Sequence, residues 1–236
     1  MTNLARYVPW QFRDFVRERG IALLLVGFLL GFTVVGPVRL MGGAPDDVTA
    51  RRVLNALLVQ VPFICAFIAL NGIVSTDRKS GYFRFLFAKP VSIPAYYAQL
   101  FAVYFVGFLA VCAVFLALFG VFLRPVPVSG PLLFCALVFL SFGGIAFLVS
   151  TLFRHDWPIL AAIFLGSTVL YSLWRFEEGW KRLVLAVLPP IYNLPGMASE
   201  ITGGTTPEVN DLLHLLGYSL ACFIAGLVIL RRRPFD

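Results

Sequence analysis

The sequence predicts an all-α integral membrane protein with six transmembrane helices. Apolar residues make up 60% of the 236-residue chain, charged residues only 13%, and the mean hydropathy is +0.89. That composition leaves too little polar surface for a soluble domain of this size. Six long segments contain no Asp, Glu, Lys or Arg, and none shows the alternation of polar and apolar residues that a membrane β-barrel requires.

Each of these segments is long enough to cross a hydrocarbon core about 30 Å thick, which needs roughly 20 helical residues. We assign the spans to residues 20–38, 53–76, 94–123, 128–153, 157–174 and 212–230 of one transmembrane domain covering residues 1–236. The third span is the longest, so we expect it to tilt or to protrude from the bilayer.

The distribution of charge predicts the orientation. With six spans and a cytoplasmic amino terminus, twelve basic and five acidic residues face inward, and the remaining seven bases and seven acids cancel. The whole formal charge of +7 then lies on the inner side, as the positive-inside rule requires. We expect both termini in the cytoplasm and the chain in the cell (inner or plasma) membrane. No nucleic-acid partner is expected, because the bases are scattered among membrane-proximal loops.

The segment before span 1 predicts an interfacial helix over residues 4–19. Arg13 and Arg17 fall on one side of a helical wheel, whereas Phe12 and Phe15 fall on another, and Trp10 stands near the helix entry. A helix with one basic and one aromatic side typically lies in the plane of the membrane interface, with its apolar side in the lipid.

A basic and aromatic insert, residues 75–92, separates spans 2 and 3. Gly81 permits a bend, and Pro90 closes a segment whose apolar side chains fill most of a helical circumference. So apolar a helix outside the membrane needs a partner. Two interpretations follow: the helix buries its aromatic residues in the inner leaflet, or it docks onto another protein.

The segment 175–211 predicts a broken, partly inserted hairpin on the outer side. Residues 183–199 carry no Asp, Glu, Lys or Arg, but they contain Pro189, Pro190 and Pro195. Each proline removes a helical hydrogen bond, so a continuous helix is not expected here. A full crossing would also move the basic carboxyl terminus to the outer side and abolish the charge asymmetry.

The spans offer no catalytic constellation. No predicted span has an Asp, Glu, Lys or Arg at its centre, and the four cysteines match no metal-ligand spacing. We therefore expect no enzyme, no metal and no cofactor in this chain, and a carrier driven by an ion gradient is disfavoured. A few polar residues within the spans are candidates for a substrate path, or for hydrogen bonds between helices: Gln60, Asn71, Gln99, Ser167 and Tyr171.

The insert also carries a resemblance. Asp77-Arg78, Gly81, the run 83–87, Pro90-Val91-Ser92 and Tyr96 resemble the first cytoplasmic loop of type 2 ABC transporter permeases. The likeness extends to the entry helix, the six spans and the broken outer hairpin. Asp77 stands where the family often has Glu, and Gln99 where it often has Lys.

The resemblance implies a coupling helix over residues 77–89 that sits in a groove of a nucleotide-binding subunit. The residues expected to couple to that ATPase are Asp77, Arg78, Lys79, Gly81, Tyr82, Phe83, Phe85, Leu86, Phe87 and Pro90.

The function implied is that of the membrane-spanning permease subunit of an ATP-driven exporter working by alternating access. The chain contains no GxxxxGK[ST] phosphate loop, so ATP and Mg²⁺ are expected in two copies of a separate ATPase subunit. A second permease chain, as homodimer or heterodimer, and membrane lipid complete the expected partners. The alternatives are a membrane anchor that assembles a complex without transport, and an ion-coupled secondary transporter.

Overall fold

The structure, a computed structural model, describes residues 4–40, 46–81, 92–125, 127–176 and 179–232. These residues form helices and short connections, with no strand among them. Six of the helices are long and apolar enough to cross a membrane. The predicted all-α architecture with six spans is confirmed, and the chain is a multi-pass membrane protein.

The spans are continuous helices of 19 to 30 residues. Their bounds are Ile21–Leu40 (span 1), Asp47–Leu70 (span 2), Ile93–Phe122 (span 3), Ser129–Leu152 (span 4), Asp156–Trp174 (span 5) and Val209–Arg232 (span 6).

Span 2 differs most from its predicted range. Asp46 has an extended backbone, and its carboxylate caps the helix by accepting the N–H of Thr49 at 3.1 Å. The helix therefore takes in Arg51 and Arg52, which we expected in a loop. At the other end the regular helix stops at Leu70 rather than continuing to 76, and a turn over residues 71–74 follows.

The segment before span 1 is helical in three pieces: a 3-10 turn (Leu4–Tyr7), an α-helix (Val8–Phe15) and a π-helical turn (Val16–Gly20) that leads into span 1. We call Val8–Phe15 the entry helix. Arg13 and Arg17 are exposed, and Phe12 is 39% exposed. Phe15, in contrast, is buried against span 3, where its ring lies 5.1 Å from that of Tyr104. Phe15 therefore anchors the entry helix to the bundle rather than to lipid.

Span 4 is the centre of the bundle. In the most apolar window of span 4, 72% of the residues are buried, against 11% in span 1. Its Phe142 ring packs on Phe63 of span 2 at 4.3 Å and on Phe164 of span 5 at 4.0 Å. Gly144 contacts the backbone of Ser219 in span 6 so closely that a Cβ there would overlap it. Small residues permit this approach between membrane helices.

The spans alternate in direction and give the bundle two ends. We call one the basic end: it holds residues 4–20, 71–81, 92–99 and 150–157, and the carboxyl end of span 6. Among the described residues it carries nine Lys or Arg and four Asp or Glu. The opposite end is the far end.

The segment between spans 5 and 6 is folded at the far end. It contains two short helices, Trp180–Val187 and Leu194–Gly203, with a 3-10 turn at Pro190–Asn193 between them. Tyr192 stacks on Tyr171 of span 5 with ring centroids 3.9 Å apart, and Asn193 donates to Asp211 at 3.1 Å. Both contacts hold this segment against the spans.

Candidate functional site

The described part of the predicted coupling segment is a short helix, Ser75–Ser80, which we call the loop helix. It contains Asp77, Arg78 and Lys79 and ends at Gly81, whose φ of 69° is the left-handed conformation that glycine adopts readily. The remaining predicted coupling residues lie outside the described residues: Tyr82, Phe83, Phe85, Leu86, Phe87 and Pro90. The site is therefore built from the junction that leads into them.

The junction begins where span 2 breaks. Gly72 has a φ of 73°, and a Cβ at this position would overlap the hydroxyl of Thr76. Only glycine combines this conformation with so close an approach at little cost. The break interrupts the helical ladder, so backbone groups on both sides of it need other hydrogen-bond partners.

Arg19 supplies partners for the carbonyl groups at the end of span 2. Its guanidinium donates to the carbonyl oxygen of Ile68 at 2.8 Å and to that of Asn71. A cation at this position also interacts favourably with the negative end of the helix dipole. The segment that precedes span 1 is thus bound directly to the end of span 2.

Two buried side chains accept the N–H groups on the other side of the break. The N–H of Gly72 donates to the Asp156 carboxylate at 3.0 Å, and the N–H groups of Val74 and Ser75 donate to the Ser150 hydroxyl at 3.0 and 2.8 Å. Asp156 is the first residue of span 5, and Ser150 lies in the last turn of span 4. Both are 0% exposed, so the short connection between spans 4 and 5 holds the turn after span 2.

The loop helix makes two further bonds to the spans. Arg78 donates from its guanidinium to the carbonyl oxygen of Thr151 at 3.2 Å. The hydroxyl of Tyr97, a buried residue of span 3, donates to the Asp77 carboxylate at 3.0 Å. The loop helix is therefore connected to span 3 on one side and to the end of span 4 on the other.

Together these bonds form a polar node that connects the loop helix to the segment before span 1 and to spans 2, 3, 4 and 5. No cluster of three or more His, Cys, Asp or Glu that could hold a metal is found among the described residues. The bonds therefore connect the turn after span 2 and the loop helix to several other elements at once.

The candidate substrate-path residues do not form one surface. Asn71 and Gln99 lie at the basic end, where Asn71 accepts from Arg19 and Gln99 donates to Gln11 of the entry helix at 2.9 Å. Tyr171 lies at the far end of span 5.

The other two candidates lie within the spans. Ser167 of span 5 donates to a carbonyl of its own helix, that of Ile163, at 2.8 Å. Gln60 lies in the middle of span 2 and is exposed.

Four side chains of the node were not among the predicted site residues: Arg19, Tyr97, Ser150 and Asp156. Arg19 and Asp156 were considered only as charges on the inner side. The bond between Asp156 and Gly72 joins residues 84 positions apart, and no local pattern indicates it. A scan against protein-family models and a search of curated proteins both found no match to this chain.

Proposed function

We propose that the chain is the membrane-spanning permease subunit of an ATP-driven ABC exporter, with its basic end in the cytoplasm of the cell that makes it. The observation that carries the proposal is the polar node. It lies directly before residues 82–91, the segment whose sequence resembles a coupling loop. ATP hydrolysis takes place in two copies of a separate subunit, and a second permease chain completes the path.

The node gives the loop a way to move the spans. Leaving a buried polar group without its partner costs about 1–3 kcal/mol. The turn after span 2 and the loop helix together use several such bonds to Ser150, Asp156 and Tyr97. Breaking all of these hydrogen bonds together is costly. A displacement of the loop therefore moves the attached ends of spans 3, 4 and 5 as rigid bodies, as in other conformational switches.

The first test is orientation. In a variant without the four native cysteines, Lys79→Cys and Glu208→Cys place single thiols on exposed positions at opposite ends of the bundle. A membrane-impermeant maleimide added to intact cells should label position 208 and leave position 79 unlabelled until the cells are opened. Labelling of position 79 in intact cells would exclude a cytoplasmic ATPase contact.

The second test is coupling. We expect the tagged chain to co-purify from its native membrane with a protein that has a phosphate loop and hydrolyses ATP. Replacing Phe83, Phe85 and Phe87 with Ser should abolish that association at an unchanged melting temperature. The matched control places three Ser at Leu183, Val187 and Leu213, which are exposed, and should keep the ATPase bound.

The same preparation separates the alternatives. If the ATPase binds equally to both triple variants, the coupling assignment is wrong. If transport continues when the partner cannot hydrolyse ATP, the chain is an anchor instead. Solute movement in proteoliposomes that contain this chain alone would indicate an ion-coupled carrier.

A further inference from the structure

The far half of the bundle contains an apolar groove of about 400 Å³ between spans 1, 2 and 3, with span 4 at its floor. We call it the far groove. Among the residues that the structure describes, its lining consists of Gly, Phe, Val, Leu, Pro and Cys, including Gly31, Leu58, Phe119 and Cys135. On span 1 the lining runs from Gly27 to Gly36, about 14 Å along the helix axis at 1.5 Å per residue.

Two glycines of span 1, one turn apart, explain why the space exists. At Gly27 the ring of Phe115 packs against the helix so closely that a Cβ would overlap it. At Gly31 a Cβ would meet no atom within 4 Å. The ring therefore fills the first gap and leaves the second empty.

The groove opens toward the bilayer. Phe28, Phe32 and Phe122 line it and are 58%, 64% and 53% exposed, so their rings form its mouth. All three lie within membrane spans. Water does not fill such a site, because an apolar cavity offers it no hydrogen-bond partners.

The size of the groove selects its occupant. An apolar cavity of about 150 Å³ binds benzene, and on that scale 400 Å³ holds a hydrocarbon of roughly 16 carbons. Its length of about 14 Å also matches one leaflet of a hydrocarbon core about 30 Å thick.

We infer that the far groove holds one acyl chain of a bilayer phospholipid as a structural component of the protein. The contact is apolar and recognises the chain rather than the headgroup. The inference does not depend on the proposed function, since it requires neither an ATPase nor a transported substrate.

The test uses the full chain reconstituted in vesicles of phosphatidylcholine with a small fraction of a phospholipid that carries a diazirine near the middle of one acyl chain. After illumination, mass spectrometry should find the label on Leu58, which is 3% exposed and lines the groove. Phe147, 0% exposed and outside the groove, should stay unlabelled. Labelling of Leu58 should saturate as the labelled lipid increases, whereas labelling of exposed Leu165 should rise in proportion.

A matched pair of variants tests the site itself. Gly31→Leu places a side chain inside the groove and obstructs it, and Gly166→Leu adds the same side chain to span 5, where a Cβ would likewise meet no atom within 4 Å. We expect at least a fivefold loss of label at Leu58 in the first variant and none in the second. Equal labelling of Leu58 in both variants would overturn the inference, and the saturation measurement on the unchanged chain decides it if Gly31→Leu does not fold.

Two other outcomes would also overturn it. The first compares phosphatidylcholine and phosphatidylglycerol probes. If Leu58 is labelled by only one of them, the groove binds a specific lipid through its headgroup instead. A disulfide between two chains carrying Phe32→Cys would show that another copy covers the mouth.

Discussion

Individual glycines in the two halves of the bundle have opposite roles. In the basic half, Gly72 and Gly144 stand where other groups approach so closely that a Cβ would overlap them. In the far half, Gly31 faces open space. The same residue type thus brings elements into contact at some positions and leaves a gap at others, and the group across from it decides which.

The difference follows from the forces at each end. The polar node depends on directional hydrogen bonds between buried groups, each of which has a narrow range of distance and angle. The far groove is bounded by apolar side chains, whose packing has no preferred direction and which lipid can complete. We therefore expect substitutions at the basic end to be costly and substitutions beside the groove to be tolerated.

Gly144→Ala should have the largest effect. Its Cβ would overlap the backbone of Ser219, which cannot rotate away, so spans 4 and 6 must separate. We expect this overpacking to lower the free energy of unfolding by about 3 kcal/mol. Thermal unfolding in detergent would measure the loss. Gly166→Ala, with no atom near the added methyl group, should be neutral or slightly stabilising. Equal stability of the two variants would show that spans 4 and 6 are not packed as described.

Asp156→Ala should cause the second-largest loss of stability. It removes the acceptor of the Gly72 N–H and leaves that buried group unpaired, at a cost of about 2 kcal/mol in the free energy of unfolding. Asp156→Asn keeps a carbonyl oxygen that can accept the same N–H, so it should lose less than half as much. Should both variants be equally unstable, the charge of Asp156 rather than its hydrogen bond would hold the turn.

Gly72→Ala is expected to cost about 1–2 kcal/mol from the left-handed backbone alone, with more from the overlap with Thr76. Gly81→Ala is the control, because Gly81 has a similar φ of 69° but no atom within 4 Å of an added Cβ. Comparing the free energies of unfolding of the two variants separates the cost of the left-handed backbone from the cost of the overlap with Thr76. The comparison fails if Gly81→Ala is the more damaging substitution.

Gly31→Ala should change the free energy of unfolding least, and it should raise that free energy rather than lower it. Alanine favours a helix interior by up to about 1 kcal/mol over glycine, and the added methyl group meets nothing. Gly27→Ala, one turn earlier, must displace the Phe115 ring and should lower the melting temperature. A loss of stability in Gly31→Ala would mean that the space beside Gly31 is occupied.

The sequence by itself determined the features that depend on neighbouring residues. Six spans follow from six apolar segments, because crossing the bilayer core needs only a local run of about 20 apolar residues. The end of the Trp180–Val187 helix before Pro189 and Pro190 is local in the same way, since proline cannot continue a helix.

Tertiary structure alone decided the rest. Phe15 shares a helical face with residues expected in lipid, yet it is buried because Gly107 of span 3 leaves room for its ring. Span 2 stops at Leu70 although the apolar Ile73 and Val74 follow, because Ser150 and Asp156 accept the N–H groups that the break releases. Such bonds join residues more than 70 positions apart, and their partners are brought together only when the spans pack.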